Sequence, residues 1–408
     1  MLNTDMFGVG LFRVGSLLGR LILLYLVTNY FSIKDASDYG IIAASIIYLG
    51  FVIGLNYHNY SVREIIKSPL SVRGRIIRDQ LVFHLFTYLI FLPLFYYILR
   101  DRGGVSVYLN LLLLLLITEQ INTEFYRILI GTGRQLQANL LLFIRSGLWV
   151  YILFFLFYVE FVEIGLYSAL LAWMVASLLS IIIAIYMFSS QSFGGWFDKI
   201  EYNWIVKGVK VCLPLLSATL IFEALFFFDK YLLKALYSDE VLAYYTISFM
   251  ICGFLITVVD AFVVSFLYPV LLDSAQRGEW SAYRENYKKL RRRVLWIVVF
   301  GAVFMYSLNI FLEVFDKDIY MKLIYLPEVY FAFSLLALNY VYHYSLYALS
   351  MDKELLISAI YGLITFFLLV FVFEIFKFNP SVIYAIIGAL SVVCLTKSRF
   401  IRKTKIII

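Results

Sequence analysis

Three cysteines in 408 residues are too few for a disulfide framework, and Cys212, Cys252 and Cys394 share no paired spacing. Each lies in an apolar stretch, so they read as small hydrophobes and not as metal ligands. Charge is scarce as well, 15% of the chain, and histidines number three. That scarcity excludes a soluble domain of ordinary composition. Nucleotide and catalytic signatures are missing: there is no P-loop, Gly-x-Ser-x-Gly elbow, His-Glu-x-x-His or Cys/His metal spacing. An enzyme, a resident metal and a cofactor are therefore not expected. No short apolar run followed by a small-residue cleavage pattern marks a removable leader either.

What is present is apolar sequence, 63% of all residues, in long runs. The expected spans are twelve: 8–31, 39–60, 80–99, 105–129, 141–159, 165–188, 211–233, 240–268, 294–314, 323–349, 355–376 and 380–396. Connections alternate between rich and poor in Lys and Arg, with 24 on one side and eight on the other, Arg100, Arg102 and Lys377 among the eight. The rich side includes Arg145, seven cations in 273–293 and five from Lys397 onward. By the positive-inside rule both termini are cytoplasmic, in a multi-pass membrane protein. The basic balance is thus a topology signal, and nucleic acid is not an expected partner; membrane lipids are. The stretch Arg277–Arg293 reads as a solvated orientation signal or as a surface helix on anionic headgroups.

Two halves are visible. Ser45-x4-Gly50-Phe51 in the second span recurs as Ser248-x4-Gly253-Phe254 in the eighth. The predicted fold is an all-α polytopic membrane protein. About twelve transmembrane helices form two six-helix bundles, 1–205 and 206–408, related by a pseudo-twofold along the membrane normal around a central cavity. Pro214, Pro269 and Pro327 lie within or at the ends of spans, where bends would gate a cavity.

Polar residues inside such spans are the candidate site. Arg13 and Arg20, seven apart in Gly8–Phe31, share one helical face, while Gly15 and Gly19 lie roughly opposite and invite a close helix. Arg13 lies near enough to the span's end to snorkel; Arg20, near the middle, needs a watery face or an anion. Glu119, Asn122, Thr123 and Tyr126 make a polar stripe, in which Glu119 either binds a coupling H+ or Na+ or neutralises an arginine such as Arg20. Asn56, Asn59, Tyr60 and Arg63 make another at the end of the second span, read as a substrate entry or an interfacial anchor. Glu223 shares a face with Lys230, whereas Asp229 points elsewhere, and Lys230 and Lys234 snorkel. Asp260 and His343 are further ion-coupling candidates, with His343 either a proton relay or a structural histidine near Asn339.

Some residues carry a resemblance. Leu55-Asn-Tyr-His-Asn-Tyr-Ser-Val-Arg-Glu-Ile65, Asp38-Tyr39-Gly40, Leu213-Pro214-Leu215, Asp229-Lys230-Tyr231-Leu232-Leu233, Ala243-Tyr244-Tyr245 and Pro269 follow one another in a familiar order. From end to end the chain resembles the O-antigen (Wzx-type) flippases of the multidrug/oligosaccharidyl-lipid/polysaccharide exporter superfamily. It departs from them at Lys230, often Arg there, and at Ala243, usually Gly. The resemblance implies flipping of an undecaprenyl-diphosphate-linked oligosaccharide from the inner to the outer leaflet for O-antigen, lipopolysaccharide or capsule synthesis. It also implies a polysaccharide polymerase and chain-length machinery as partners. Arg13, Arg20, Asn56, Asn59, Arg63 and Asn122 would then meet substrate, and Glu119, Asp260, Glu223 or His343 the coupling ion. Two rivals share these features: a cation-coupled drug or metabolite antiporter of that superfamily, and a membrane polysaccharide polymerase or ligase. The arginine pair counts against the first, the lack of a large outward loop against the second.

Overall fold

The computed structural model describes residues 2–101, 106–191 and 193–404, and among them there are helices and turns but no strand. Arg102 and Lys405, both used in the charge count, lie outside the described residues. Backbone contacts divide the chain into two compact units, Met1–Leu216 and Ser217–Ile408. The division falls inside a helix, later than the 205/206 boundary expected from sequence.

The first unit begins with α1 (Leu2–Asn29), α2 (Ile33–Gly54), α3 (His58–Lys67), α4 (Leu70–Leu99) and α5 (Leu109–Gly131). Next, α6 (Gln135–Phe143) runs through a π-helical turn, Ile144–Leu148, into α7 (Trp149–Tyr158), followed by α8 (Leu166–Ser189) and the start of α9 (Tyr202–Leu236). The second unit takes up the rest of α9 and then α10 (Asp239–Val259), a second π turn (Asp260–Val264), α11 (Ser265–Gln276) and α12 (Trp280–Phe315). It ends with α13 (Lys317–Lys322), α14 (Leu326–Ala348), α15 (Asp352–Ile375) and α16 (Ser381–Lys403).

Local chemistry explains several of these boundaries. Ser32 caps α2 by accepting the Asp35 amide at 3.1 Å, and Ser238 caps α10 by accepting that of Val241 at 3.3 Å. Pro327 stands in the first turn of α14, where its missing N–H has no intrahelical partner to lose. α2 stops at Gly54 because Leu55 and Asn56 turn left-handed, with φ of 48° and 50°. The expected span 39–60 is therefore cut short, and α3 is a separate helix.

Eleven helical segments among the described residues are long and apolar enough to cross a membrane. The remaining expected span, 323–349, forms α14, but Glu328, Asn339, His343 and its tyrosines keep its hydropathy lower. Burial separates core from periphery: 61% of the apolar window of α2 and 56% of that of α16 are buried, against 6% for α12. α12 thus offers Trp296, Phe300 and Phe304 outward, as a lipid-facing helix must. Its basic first part, within 273–293, continues the same helix and buries Tyr283, Tyr287, Leu290 and Val294 on one face.

Cations counted to the inward connections reach into the spans, Arg145 and Lys397 among them. Arg145 lies in the π turn of the fifth span, which runs from Gln135 to Tyr158. Lys397 lies within α16 and is buried, because the last helix runs on to Lys403. On α1 the expected close approach is found. A Cβ on Gly19 would sit 2.8 Å from the Cα of Gly147, and one on Gly15 2.8 Å from the Phe143 ring.

Candidate functional site

In the first unit, α1 turns its arginines toward α6 and the π turn. Arg13 Nε donates to Asn139 Oδ1 at 3.0 Å, a neutral partner that is itself fixed by donating to Gln135 O at 2.7 Å. Arg20 is exposed on the surface of the unit, within electrostatic range of Tyr39 on α2 and of Arg145. A π turn widens the helix by one residue and commonly re-aims a side chain at functional sites; here that side chain is Arg145.

Glu119 is fully engaged. Arg145 Nη1 donates to its Oε2 at 3.0 Å, while Trp173 Nε1 and Ser177 Oγ donate to Oε1 at 2.8 and 2.6 Å. The arginine it neutralises is thus Arg145, where the sequence offered Arg20. Asn122, one turn on, is buried and donates to the Thr118 and Ser177 carbonyls, each at 3.0 Å, so it ties α5 to α8. The stripe 56–59–60–63 is not one helical face. Asn56 sits buried in the break after α2, whereas Asn59 and Arg63 are a turn apart on α3, with Arg63 exposed.

In the second unit Lys230 does not snorkel and Asp229 does not point away. Both are buried, and Lys230 Nζ lies 3.2 Å from Asp229 Oδ2 and 3.1 Å from Phe226 O, over the Phe249 ring at 3.9 Å. Tyr245 Oη donates to Asp229 Oδ2 at 2.6 Å and so joins α10 to α9. Adjacent side chains on a helix ordinarily diverge; here Asp229 also accepts the Lys230 amide, at 2.6 Å, and the lysine folds back onto it.

Lys397 is the other buried cation. Its Nζ donates to Asn339 Oδ1 at 2.8 Å and lies 5.3 Å from the Phe222 ring centroid, with no carboxylate in ion-pair range among the described residues. His343, a turn beyond Asn339, is within electrostatic range of Lys397 and lies parallel to the Tyr347 ring, 6.4 Å between centroids. Glu223 and Asp260 both act on Tyr340, which places these three groups in one neighbourhood of the second unit; Asp260 opens the second π turn and is exposed.

The structure thus adds residues that sequence passed over: Arg145 and Lys397, and in the first unit Glu124 with two histidines. Arg145 had a signal, standing in an apolar run with Asn139 two turns before it. Lys397 was hidden by the basic residues that follow it.

No protein-family model and no curated protein sequence matches the chain. Solved structures do. An inward-facing multidrug resistance MATE family transporter of the MOP superfamily is 15% identical, with a TM-score of 0.75 over 97% of this chain and 94% of that one. The outward-facing form of such a transporter gives a TM-score of 0.62 at 15% identity, over 98% of this chain and 95% of that one. A MOP superfamily transporter of Pyrococcus furiosus, described as having a binding pocket of reversed polarity that suggests a different function, gives 0.66 at 15% identity over 98% and 97%. Along nearly its whole length, then, the chain has the fold of MATE transporters of the MOP superfamily, the fold its sequence resemblance implies.

Proposed function

We propose that the chain is a flippase. It carries an undecaprenyl-diphosphate-linked oligosaccharide from the inner to the outer leaflet of the bacterial inner membrane by alternating access, with both termini cytoplasmic. The observation that carries this reading is the exposure of Arg20 midway along a helix long and apolar enough to cross a membrane. An arginine in mid-span facing lipid is costly, so such a surface calls for water or an anion. A diphosphate satisfies it, because guanidinium groups bind phosphate oxygens through paired, charge-assisted hydrogen bonds. Arg13, held by a neutral amide, adds positive charge on the same helix.

The second reading is a cation-coupled drug or metabolite antiporter, favoured by the multidrug transporters among the structural neighbours. It requires an acidic surface for cationic cargo, and Glu119 is already neutralised by Arg145. Proteoliposomes loaded with a fluorescent diphosphate-linked glycan separate the two. Arg20→Ala should lower translocation at least tenfold and Arg20→Lys should recover part of it. Unchanged translocation in Arg20→Ala, or transport of cationic dyes in place of the glycan, defeats the flippase reading.

A further inference from the structure

The first unit buries a carboxylate between two imidazoles. Glu124, on α5, is 4% exposed, with Oε1 3.8 Å from Nδ1 of His58 on α3 and 3.6 Å from Nε2 of His84 on α4. Two amides donate to the same carboxylate: Gln80 Nε2 to Oε2 at 2.5 Å and Gln120 Nε2 to Oε1 at 2.8 Å. The cluster is closely fitted, since a Cβ on Gly54 would overlap the Gln120 amide. Yet both ring nitrogens of His84, the Tyr88 hydroxyl and Gln80 Oε1 are buried without a hydrogen bond among the described residues. Buried polar atoms without partners are rare and need a reason.

Charge supplies one. Arg127 on α5 and Tyr88 on α4 lie within electrostatic range of Glu124; Cys212 on α9 lies within range of both Glu124 and Arg63 of α3. The Tyr57 ring stands edge-on to His84, 6.3 Å between centroids. Of these groups only the imidazoles and the carboxylate can exchange a proton near neutral pH and touch one another. With both imidazoles neutral, Glu124 is a buried anion faced by amides and by an exposed arginine. One proton, held by the carboxylate or by an imidazole, makes the trio neutral as a whole. A metal cation is disfavoured because amide N–H donors already occupy the carboxylate oxygens. Among the described residues no group of His, Cys, Asp and Glu is arranged to hold a metal.

The position matters too. His58 is the first residue of α3, directly beyond the left-handed break at Leu55 and Asn56. Between them, Tyr57 is fully buried and stacks on Phe83, next to His84. We propose that His58, His84 and Glu124 form a proton-binding site of the first unit. The site stands whichever cargo the chain carries.

The test needs no cargo. The chain has three histidines, so 15N-histidine NMR of the protein in lipid vesicles resolves each ring, assigned with His58→Gln, His84→Gln and His343→Gln. Across about pH 4 to pH 8.5 the trio should take up one proton, read as a change in the His58 or His84 ring resonances. Removing the carboxylate with Glu124→Gln should lower the midpoint of that uptake by about one pH unit or more, because the imidazolium loses its counter-charge. Removing one imidazole should raise the midpoint of the other. Should Glu124→Gln fail to fold, the wild-type titration and the His58→Gln shift decide. Two imidazoles that keep one protonation state across the range, or midpoints indifferent to these substitutions, overturn the proposal and leave a structural polar knot.

Discussion

Arg145 Nη1 lies 3.0 Å from Glu119 Oε2, and both side chains are mostly buried, 14% and 18% exposed. At that burial, removing one partner is costly because the other charge is stranded, by about 3–5 kcal/mol when burial is complete and less here. Glu119→Gln should therefore lower the thermal midpoint in detergent markedly. Glu119→Gln combined with Arg145→Met should recover most of the loss, since the pair is then replaced by uncharged groups. A double variant no more stable than Glu119→Gln alone would show that Arg145 is not stranded by the loss of Glu119.

Lys230 and Asp229 give a sharper case, since both are sealed from solvent. Asp229→Asn should strand the lysine and unfold or strongly destabilise the second unit, and Lys230→Met should strand the acid likewise. Tyr245→Phe removes a single donor to Asp229 and should cost roughly 1–3 kcal/mol. The order of the three, read from thermal midpoints in detergent, is the check: Tyr245→Phe mildest, the charge deletions far worse.

Lys397 separates stability from transport. It is a buried ammonium whose partners are an amide and an aromatic ring, so Lys397→Met removes a desolvated charge without stranding an acid. The thermal midpoint of Lys397→Met should match or exceed that of the wild type. If the lysine serves the cargo's negative charge, translocation in proteoliposomes should nevertheless fall at least tenfold. A variant that is both stable and fully active would make Lys397 dispensable.

Periodicity explains what could be read in advance. The two faces of α1 were legible because arginines and glycines repeat at helical spacing in one uninterrupted helix. The break after Gly54 was not, because Leu55 carries no turn signal and the polar spacing of Asn56, Asn59 and Arg63 continues smoothly through it. Helix ends were hidden where polar residues enter the membrane, as at Gln135, Gln137 and Asn139 and at Lys397. The Glu124 cluster was beyond reach for another reason. His58 and His84 come from separate helices and meet Glu124 through tertiary packing alone, which no local pattern announces.

The glycines of α1 offer the last prediction, since two positions on one helix differ only in what faces them. A Cβ on Gly10 would meet nothing within 4 Å, whereas one on Gly19 would press on the Gly147 backbone at 2.8 Å. Gly10→Ala should be neutral or stabilising by up to about 1 kcal/mol, because alanine orders the helix at no steric cost. Gly19→Ala should cost roughly 1–3 kcal/mol, because backbone and not a flexible side chain must give way. The strain would also push α1 off the π turn and separate Arg20, the next residue, from Arg145. Thermal midpoints of the two variants in detergent decide the matter: equal values would mean that α1 does not pack on Gly147 as closely as the structure has it.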